Sequence, residues 1–587
     1  MEKDNSILKG ILSSIKAHWP QSFKVRFIIL MFLFLISAFL DILGLASFVP
    51  LILSLSSPVI ISENEYFNLV YTSLEFSSNR SFFIAMITSI FFFFLFKNIY
   101  GVLVNRFQVK FTVDLSVVIA NKQYLKYANL DYYNHTTIGS GKIINYVNNT
   151  PFTYITTIVT PLFNLLSETI AFVIITIGVA FIKPSLFLIL CVLIGPLTIL
   201  FYRSIRKKSQ HIGFRIDELV PENINNINDS FKGFVELKLY DKLNFFREKF
   251  IDRQKEIQSL NGLSTLFTYM TPKVTELIAV FGVVFIFGFG IFTNLEFSEL
   301  LSIIAVFAGA AYRLMPSLNR MIASFISLKK YQYTIVNLDL HSDIHSFKES
   351  DENNISFKEK IKFDKLDFKF QNSKAKILDG IDIEILKGER IGVIGSSGSG
   401  KTTFANLLLG LYRPIQGSIR IDDQILSQDN MKSWYKKVGY VKQDAFLMND
   451  SLLNNITLGT NSVNEELLRQ AIHSASLYEF INSLPDKLNS YVGENGSALS
   501  GGQRQRVAIA RALYQGAEVL VFDEATSALD SETEKEINTA IEHLSKEITI
   551  VIIAHRITTL KECDRILKFE EGRVVGEYNY YELTAKG

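Results

Sequence analysis

The stretch Gly395-Ser396-Ser397-Gly398-Ser399-Gly400-Lys401-Thr402 sets an amine and a hydroxyl behind a loop of small residues, in the spacing G-x-x-x-x-G-K-[ST]. The chemistry this allows is anion binding. Glycines let backbone N–H groups close around phosphate oxygens, and a helix that begins there adds partial positive charge. Lys401 then reaches the β- and γ-phosphates of a nucleotide, and Thr402 ligates Mg²⁺. The elements needed to hold such a loop are a strand before it and a helix after it. The run Arg390-Ile391-Gly392-Val393-Ile394 reads as the strand, and Thr403 to Leu411 reads as the helix, with Thr403 still part of the site.

The remainder of the chain shows what such a site serves. With 587 residues the chain is too long for one core. It is 48% hydrophobic and holds 48 phenylalanines, while its net charge of +2 gives no nucleic-acid signal. Its two cysteines, Cys191 and Cys563, form neither a disulfide framework nor a metal-ligand cluster. No cleavable signal peptide is visible, because the first apolar run starts near Phe27 and is too long for one.

Residues 1–335 contain six apolar runs, each read as a membrane helix: Ile28 to Leu55, Phe82 to Val104, Tyr154 to Phe181, Leu186 to Phe201, Glu276 to Phe292 and Leu300 to Ile326. Lys3, Lys9, Lys16, Lys24 and Arg26 place the N-terminus in the cytoplasm, as Arg203, Arg206, Lys207 and Lys208 do for the end of the fourth run. Ser56 to Asn79 has acidic residues and no Lys or Arg, and reads as external with room for a short helix. No proline interrupts Ser81 to Tyr127, so the second helix is expected to continue as a stalk about 70 Å long. Ser204 to Ser259 allows a matching projection. Residues 336–354 read as a linker, polar from His341 to Asn354, and residues 355–587 alternate β-rich and helical runs.

Downstream of the P-loop come Leu499-Ser500-Gly501-Gly502-Gln503, the strand Val519-Leu520-Val521-Phe522 ending in Asp523-Glu524, then Ser527-Ala528-Leu529-Asp530, and a second strand ending at His555. This order resembles the nucleotide-binding domain of ATP-binding-cassette (ABC) proteins over the whole C-terminal half. The resemblance implies a role for each residue. Asp523 is the carboxylate that holds Mg²⁺, Glu524 the general base for the attacking water, Gln443 the glutamine that senses metal and water, and His555 the contact to the γ-phosphate. Ser500, Gly501, Gly502 and Gln503 bind the γ-phosphate of ATP held by a second copy, so the protein is expected to be a homodimer with two composite sites. Phe370 stands where the family commonly has a tyrosine that stacks on adenine, and Phe368 is the alternative stacker. The expected fold class is therefore multi-domain. An all-α polytopic membrane domain with six transmembrane helices and long cytoplasmic extensions joins an α/β P-loop domain.

Six helices with stalks and a C-terminal cassette resemble ABC exporters, with Tyr132 to Ile143 and Ser230 to Tyr240 as the segments that meet the cassettes. Lys97, Lys273, Arg313 and Arg320 lie in or near membrane helices, where a charge is costly and marks function. Together they form a candidate cationic belt for phosphate or pyrophosphate. Lys273 can instead pair with Glu276, and Asp41 can neutralise another of them. The stretch Ala311 to Arg320 resembles PglK-type flippases of lipid-linked oligosaccharides. That resemblance implies ATP-driven movement of a polyprenyl-pyrophosphate-linked glycan across a bacterial inner membrane, by alternating access or outward-only cycling. Export of another lipid, hydrophobic drug or peptide is the nearest alternative, and a non-transporting ATP-gated regulator is the alternative of another class.

Overall fold

The computed structural model describes residues 7–48, 51, 65–182, 184–292, 297–341, 354–370, 373, 375–523, 541, 544, 546–554 and 556–585. Contacts divide the chain into two units, one of Met1–Asn129 with Ile138–Ile344, the other of Leu130–Thr137 with His345–Gly587.

The first unit is helical: α1 Ile7–His18, α2 Gln21–Ala46, α3 Asn79–Ala128, α4 Thr160–Ile182, α5 Pro184–Lys232, α6 Leu243–Phe292 and α7 Phe297–Lys330. The stalk read from the second apolar run is present: α3 has 50 residues, about 75 Å at 1.5 Å per residue. A Ser78–Ser81 capping box starts it. The segment read as external carries the expected short helix, Glu65–Ser73.

Among the described residues, four helical stretches are long and apolar enough to cross a membrane: Gln21–Gly44, Asn79–Ala128, Ser140–Ile177 and Leu243–Phe292. Six were expected. The fourth and sixth runs fall within helices α5 and α7, and much of each lies outside the residues described in full, so four of the six expected spans are seen.

The core of this unit is aromatic. Trp19, Phe23 and Phe163 all meet Phe111 edge to face, at centroid distances of 5.3–5.4 Å. Beside them Tyr154 is fully buried, and its hydroxyl accepts hydrogen bonds from Ser14 Oγ (3.0 Å) and Trp19 Nε1 (3.3 Å). These bonds tie α1 to the start of the third apolar run. Further down the stalks, α5 crosses α7 so closely that a Cβ on Gly213 would lie 1.6 Å from the Lys330 carbonyl oxygen. Only glycine allows that approach.

The second unit is α/β. Strands β1 Lys360–Phe368, β2 Leu378–Leu386, β4 Gln416–Ile421 and β5 Gln424–Ile425 form an antiparallel sheet in the order β2-β1-β4-β5. A six-stranded sheet holds β3 Arg390–Gly395, β6 Val438–Lys442, β7 Val519–Asp523, β8 Thr549–Ile553, β9 Arg565–Glu570 and β10 Arg573–Tyr578, ordered β10-β9-β3-β8-β7-β6. All its pairings are parallel except β9 with β10. The near-continuous apolar runs of β7 and β8 have a physical cause. Val519, Val521, Val551 and Ile553 enter one hydrophobic cluster, while Leu520, Phe522, Ile550 and Ile552 enter another. A parallel sheet covered on both faces needs apolar residues at every position.

Candidate functional site

Strand register brings the chemistry to one edge. Lys442 pairs with Asp523, Asp523 with Ile553, and Ile553 faces Val393 across β3. Because these strands run parallel, the residues just beyond them gather at their C-terminal ends, where ligands bind in such sheets. Among the described residues those are Gln443, the P-loop from Gly395, and Ala554. Glu524 and His555 follow Asp523 and Ala554 in sequence but lie outside the described residues.

The P-loop turns from β3 into α8, Lys401–Leu408. Gly398 and Gly400 have φ of 81° and 102°, a region that side chains with a Cβ rarely adopt. A Cβ on Gly400 would lie 2.6 Å from Leu378 Cδ2, whereas one on Gly398 would enter open space. The crest Ser396-Ser397-Gly398 is exposed and Ser399 and Gly400 are buried beneath it. Lys401 is 5% exposed, and its ammonium donates to the carbonyls of Gly395 (2.8 Å) and Ser396 (2.9 Å) across the loop. The cation is thus held at the rim of an open, glycine-lined cradle at a helix N-terminus, which fits a nucleotide's phosphates. Thr402 and Thr403 follow in the first turn. Thr402 and Asp523 supply hydroxyl and carboxylate oxygens, a donor set suited to Mg²⁺.

Asp523 does not stand alone at its strand end. The Tyr440 hydroxyl donates to its Oδ2 at 2.9 Å. Burial, and then the Asp523 charge, push the Tyr440 hydroxyl far above the ordinary tyrosine range, so it remains a donor at physiological pH. The Lys442 ammonium lies 5.0 Å from the Tyr440 ring centroid and 5.8 Å from that of Tyr132. Strand alternation turns Tyr440 and Lys442 to one face, with Lys442 directly opposite Asp523 and Tyr440 diagonal to it. Reading the sequence for motifs missed Tyr440; that alternation is the signal that finds it.

The signature segment begins a helix, α9 Gly501–Tyr514. Ser500 caps it in a reciprocal box with Gln503: Ser500 Oγ accepts from the Gln503 amide (3.2 Å), and the Ser500 amide donates to Gln503 Oε1 (2.9 Å). Both side chains are therefore engaged in the cap, and the amides of Gly501 and Gly502 occupy the first turn. Arg511 anchors the far end, donating to the carbonyls of Asn455 and Phe446, each at 2.8 Å.

Phe370 is half-buried just past β1. Its ring stacks on Tyr133 at 6.2 Å and 20°, and meets Phe368 and Tyr412 edge to face. At most one face is left for a base. Phe368, the alternative stacker, is buried and stacked on Tyr412 at 5.1 Å.

In the helical unit, three of the belt residues have carboxylate partners. Lys97 pairs with Asp41 at 2.7 Å, linking α2 to α3. Lys273 pairs with Glu276 at 3.4 Å within α6, and both are exposed. Arg320 of α7 donates through Nε to Glu168 of α4. Glu168 is 15% exposed and Arg320 is 47% exposed, so the carboxylate sits behind the guanidinium and neutralises it from within. Glu168 was not singled out from the sequence. The backbone of Arg313 lies in α7, and its side chain lies outside the described residues.

Comparison with known proteins accords with this arrangement. Residues 378–527 match the family model described as ABC transporter. An ATP-dependent lipid A-core flippase of Alkalilimnicola ehrlichii is 44% identical over 224 residues, 38% of each chain. A protein of the same name from Francisella tularensis subsp. tularensis is 30% identical over 416 residues, 69% of this chain and 66% of its own length. ATP-binding cassette sub-family B member 5 of Mus musculus is 39% identical over 251 residues, 43% of this chain and 20% of its own. The chain thus spans between a fifth and just under two thirds of the lengths of these relatives. A solved structure of a bacterial Atm1-family ABC exporter with ATP bound superposes with a TM-score of 0.77 at 21% identity, covering 96% of both chains. The C-terminal half of this chain therefore contains an ABC transporter ATPase domain, carried in a polypeptide with the fold of an ABC exporter.

Proposed function

We propose that the protein is an ATP-driven exporter that moves a phosphate-bearing glycolipid across a bacterial inner membrane, with the cassette in the cytoplasm. The observation that carries the reading is the edge of the six-stranded sheet, where the P-loop, Asp523 and Gln443 converge. P-loop amides and Lys401 hold the β- and γ-phosphates. Thr402, Asp523 and Gln443 hold Mg²⁺, which supplies charge neutralisation on the phosphates. Glu524 takes the proton of the attacking water, and His555 fixes the γ-phosphate.

The working unit is a homodimer. Leu130–Thr137, which holds the first half of the first coupling segment, groups with its own chain's cassette, whereas Ile138 onward groups with the helical unit. The second tip leaves Phe231, Phe234, Val235, Leu239 and Tyr240 exposed beside a cavity of about 450 Å³. An apolar patch of this kind is unfavourable in water, and the cassette of a second copy is the occupant that closes it. The same pairing sets the signature amides of one copy over the ATP of the other.

For the cargo, a polyprenyl-pyrophosphate-linked oligosaccharide is supported by Arg313 and Arg320, seven residues apart on one helix. With its Nε–H given to Glu168, the guanidinium of Arg320 turns its Nη ends outward to an anion. Pairing reduces the net charge that Lys97 and Lys273 offer. A lipid A-core glycolipid is the second reading, favoured by the names of the relatives; both cargoes present phosphate next to sugar.

The test is ATPase activity of the reconstituted full chain. In vesicles of neutral phospholipid, adding a polyprenyl pyrophosphate should stimulate hydrolysis more than adding lipid A. The reverse order selects the second reading, and no response to either refutes the phosphate-glycolipid assignment. Glu524→Gln should lower hydrolysis at least about 100-fold while ATP still binds. Unchanged turnover in that variant refutes the assignment of the base.

A further inference from the structure

Two adjacent tyrosines of the first coupling segment, Tyr132 and Tyr133, touch the cassette through two different side chains, Lys442 and Phe370. Tyr133 stacks on Phe370, where adenine is expected. Tyr132 lies under Lys442, at 5.8 Å from the ring centroid, and against Tyr412, at 5.6 Å. Lys442 lies over Tyr440, and Tyr440 donates to Asp523 Oδ2. The residues Tyr132, Lys442, Tyr440 and Asp523 therefore form a physically continuous series ending on a carboxylate. All four belong to one compact unit. Its outer end is joined through the chain to α3, which stops at Ala128, four residues before Tyr132.

We propose that Tyr440 positions the Asp523 carboxylate for its metal ion, and that Lys442 couples this position to Tyr132 of the coupling segment. The series is separate from Gln443, the residue expected to carry that signal. The physical argument is one of orientation. A carboxylate at a strand end has a free χ2 rotation, and its function depends on which oxygen faces the metal. A buried hydroxyl on Oδ2 holds that rotation. The hydroxyl in turn is held by the Tyr440 ring, and the Lys442 ammonium lies over that ring at 5.0 Å. Cation–π attraction falls off with displacement, so moving Tyr132 shifts Lys442 between its two rings. A displacement of the coupling segment then reaches the metal site without any change in the P-loop.

The inference rests on the reading of Asp523 as the metal carboxylate, and the experiment separates the two. The full-length protein in nanodiscs is given a non-hydrolysable ATP analogue and titrated with Mn²⁺, and free Mn²⁺ is read by electron paramagnetic resonance. Binding is measured, so turnover plays no part. Asp523→Asn should abolish tight Mn²⁺ binding; if it does not, the ATP-site reading fails. Tyr440→Phe keeps the ring and removes only the hydroxyl, and should weaken Mn²⁺ about three- to tenfold with an unchanged melting temperature. Lys442→Ala and Tyr132→Ala should each weaken it about twofold, and the double variant no further than the stronger single, because both act through one series. Tyr132→Phe, which keeps the ring, should match the parent. A Tyr440→Phe isotherm that coincides with the parent, while Asp523→Asn abolishes binding, overturns the positioning role. A shifted Tyr440→Phe with unshifted Lys442→Ala and Tyr132→Ala overturns the coupling to the segment.

Discussion

Replacing Asp217 with asparagine should make the protein more stable at neutral pH. Asp217 lies in the stalk part of α5, half-buried, and its Oδ1 accepts a hydrogen bond from Asn337 Nδ2 at 2.8 Å. Burial pushes its carboxyl from an ordinary 3.8 up to about 6, and Glu218 adds to this against the opposing Asn337 bond and Lys142. The native state thus binds the proton more tightly than the unfolded chain does. Below pH 4 both states are protonated and nothing is lost. As pH rises from about 4 to 6 the unfolded chain ionises first, and native stability falls. Above pH 6 the loss is complete. At about 1.4 kcal/mol per pH unit it amounts to about 3 kcal/mol at most, since the group keeps some access to water. Asparagine cannot ionise and keeps the carbonyl that Asn337 donates to. Asp217→Asn should therefore raise the melting temperature by roughly 3–6 °C at pH 7.5 and by about a third as much at pH 4.5. Intrinsic fluorescence during heating in detergent, at several pH values, measures this. A variant less stable than the parent at pH 7.5, or one whose melting temperature falls as steeply between pH 5 and 7, refutes the assignment of a buried, destabilising charge.

Two further outcomes concern the helical unit. Gly213→Ala sets a methyl 1.6 Å from the Lys330 carbonyl oxygen, so the backbones of α5 and α7 must separate; a loss of about 3 kcal/mol is expected, read as a lower melting temperature. Tyr154→Phe leaves the buried Ser14 hydroxyl and Trp19 N–H without their acceptor; it should cost about 1–3 kcal/mol and speed limited proteolysis between α1 and α2.

Some of the architecture is legible without coordinates because its causes are local. The P-loop demands glycines where φ is positive, and Gly398 and Gly400 are where the motif requires them. Ser500 and Gln503 are three residues apart, the spacing of a capping box, and they form one. The α3 stalk follows from an unbroken helical pattern without proline. Lys273 and Glu276 are neighbours on one helix, so their pairing is visible from spacing alone.

Other features depend on contacts between residues far apart in sequence, which no local pattern encodes. Counting residues along helices sets Lys97 and Arg313 at a depth where an unpaired charge is costly, with Arg320 two turns beyond Arg313, yet it cannot tell what faces them. Tertiary packing brought Asp41 to Lys97 and Glu168 to Arg320, 56 and 152 residues away. It thereby settled which belt cation Asp41 neutralises and added Glu168, a partner that spacing did not show. The same holds at the cassette. Asp523 can be read from its motif, but the hydroxyl that orients it comes from Tyr440, 83 residues earlier, through the pairing of β6 with β7. The sequence by itself determined which groups can do chemistry, because residue type and local backbone demand are written in adjacent positions. Tertiary structure alone decided which of those groups are neutralised, which are aimed and which are linked, because charge and orientation depend on neighbours that only the folded chain supplies.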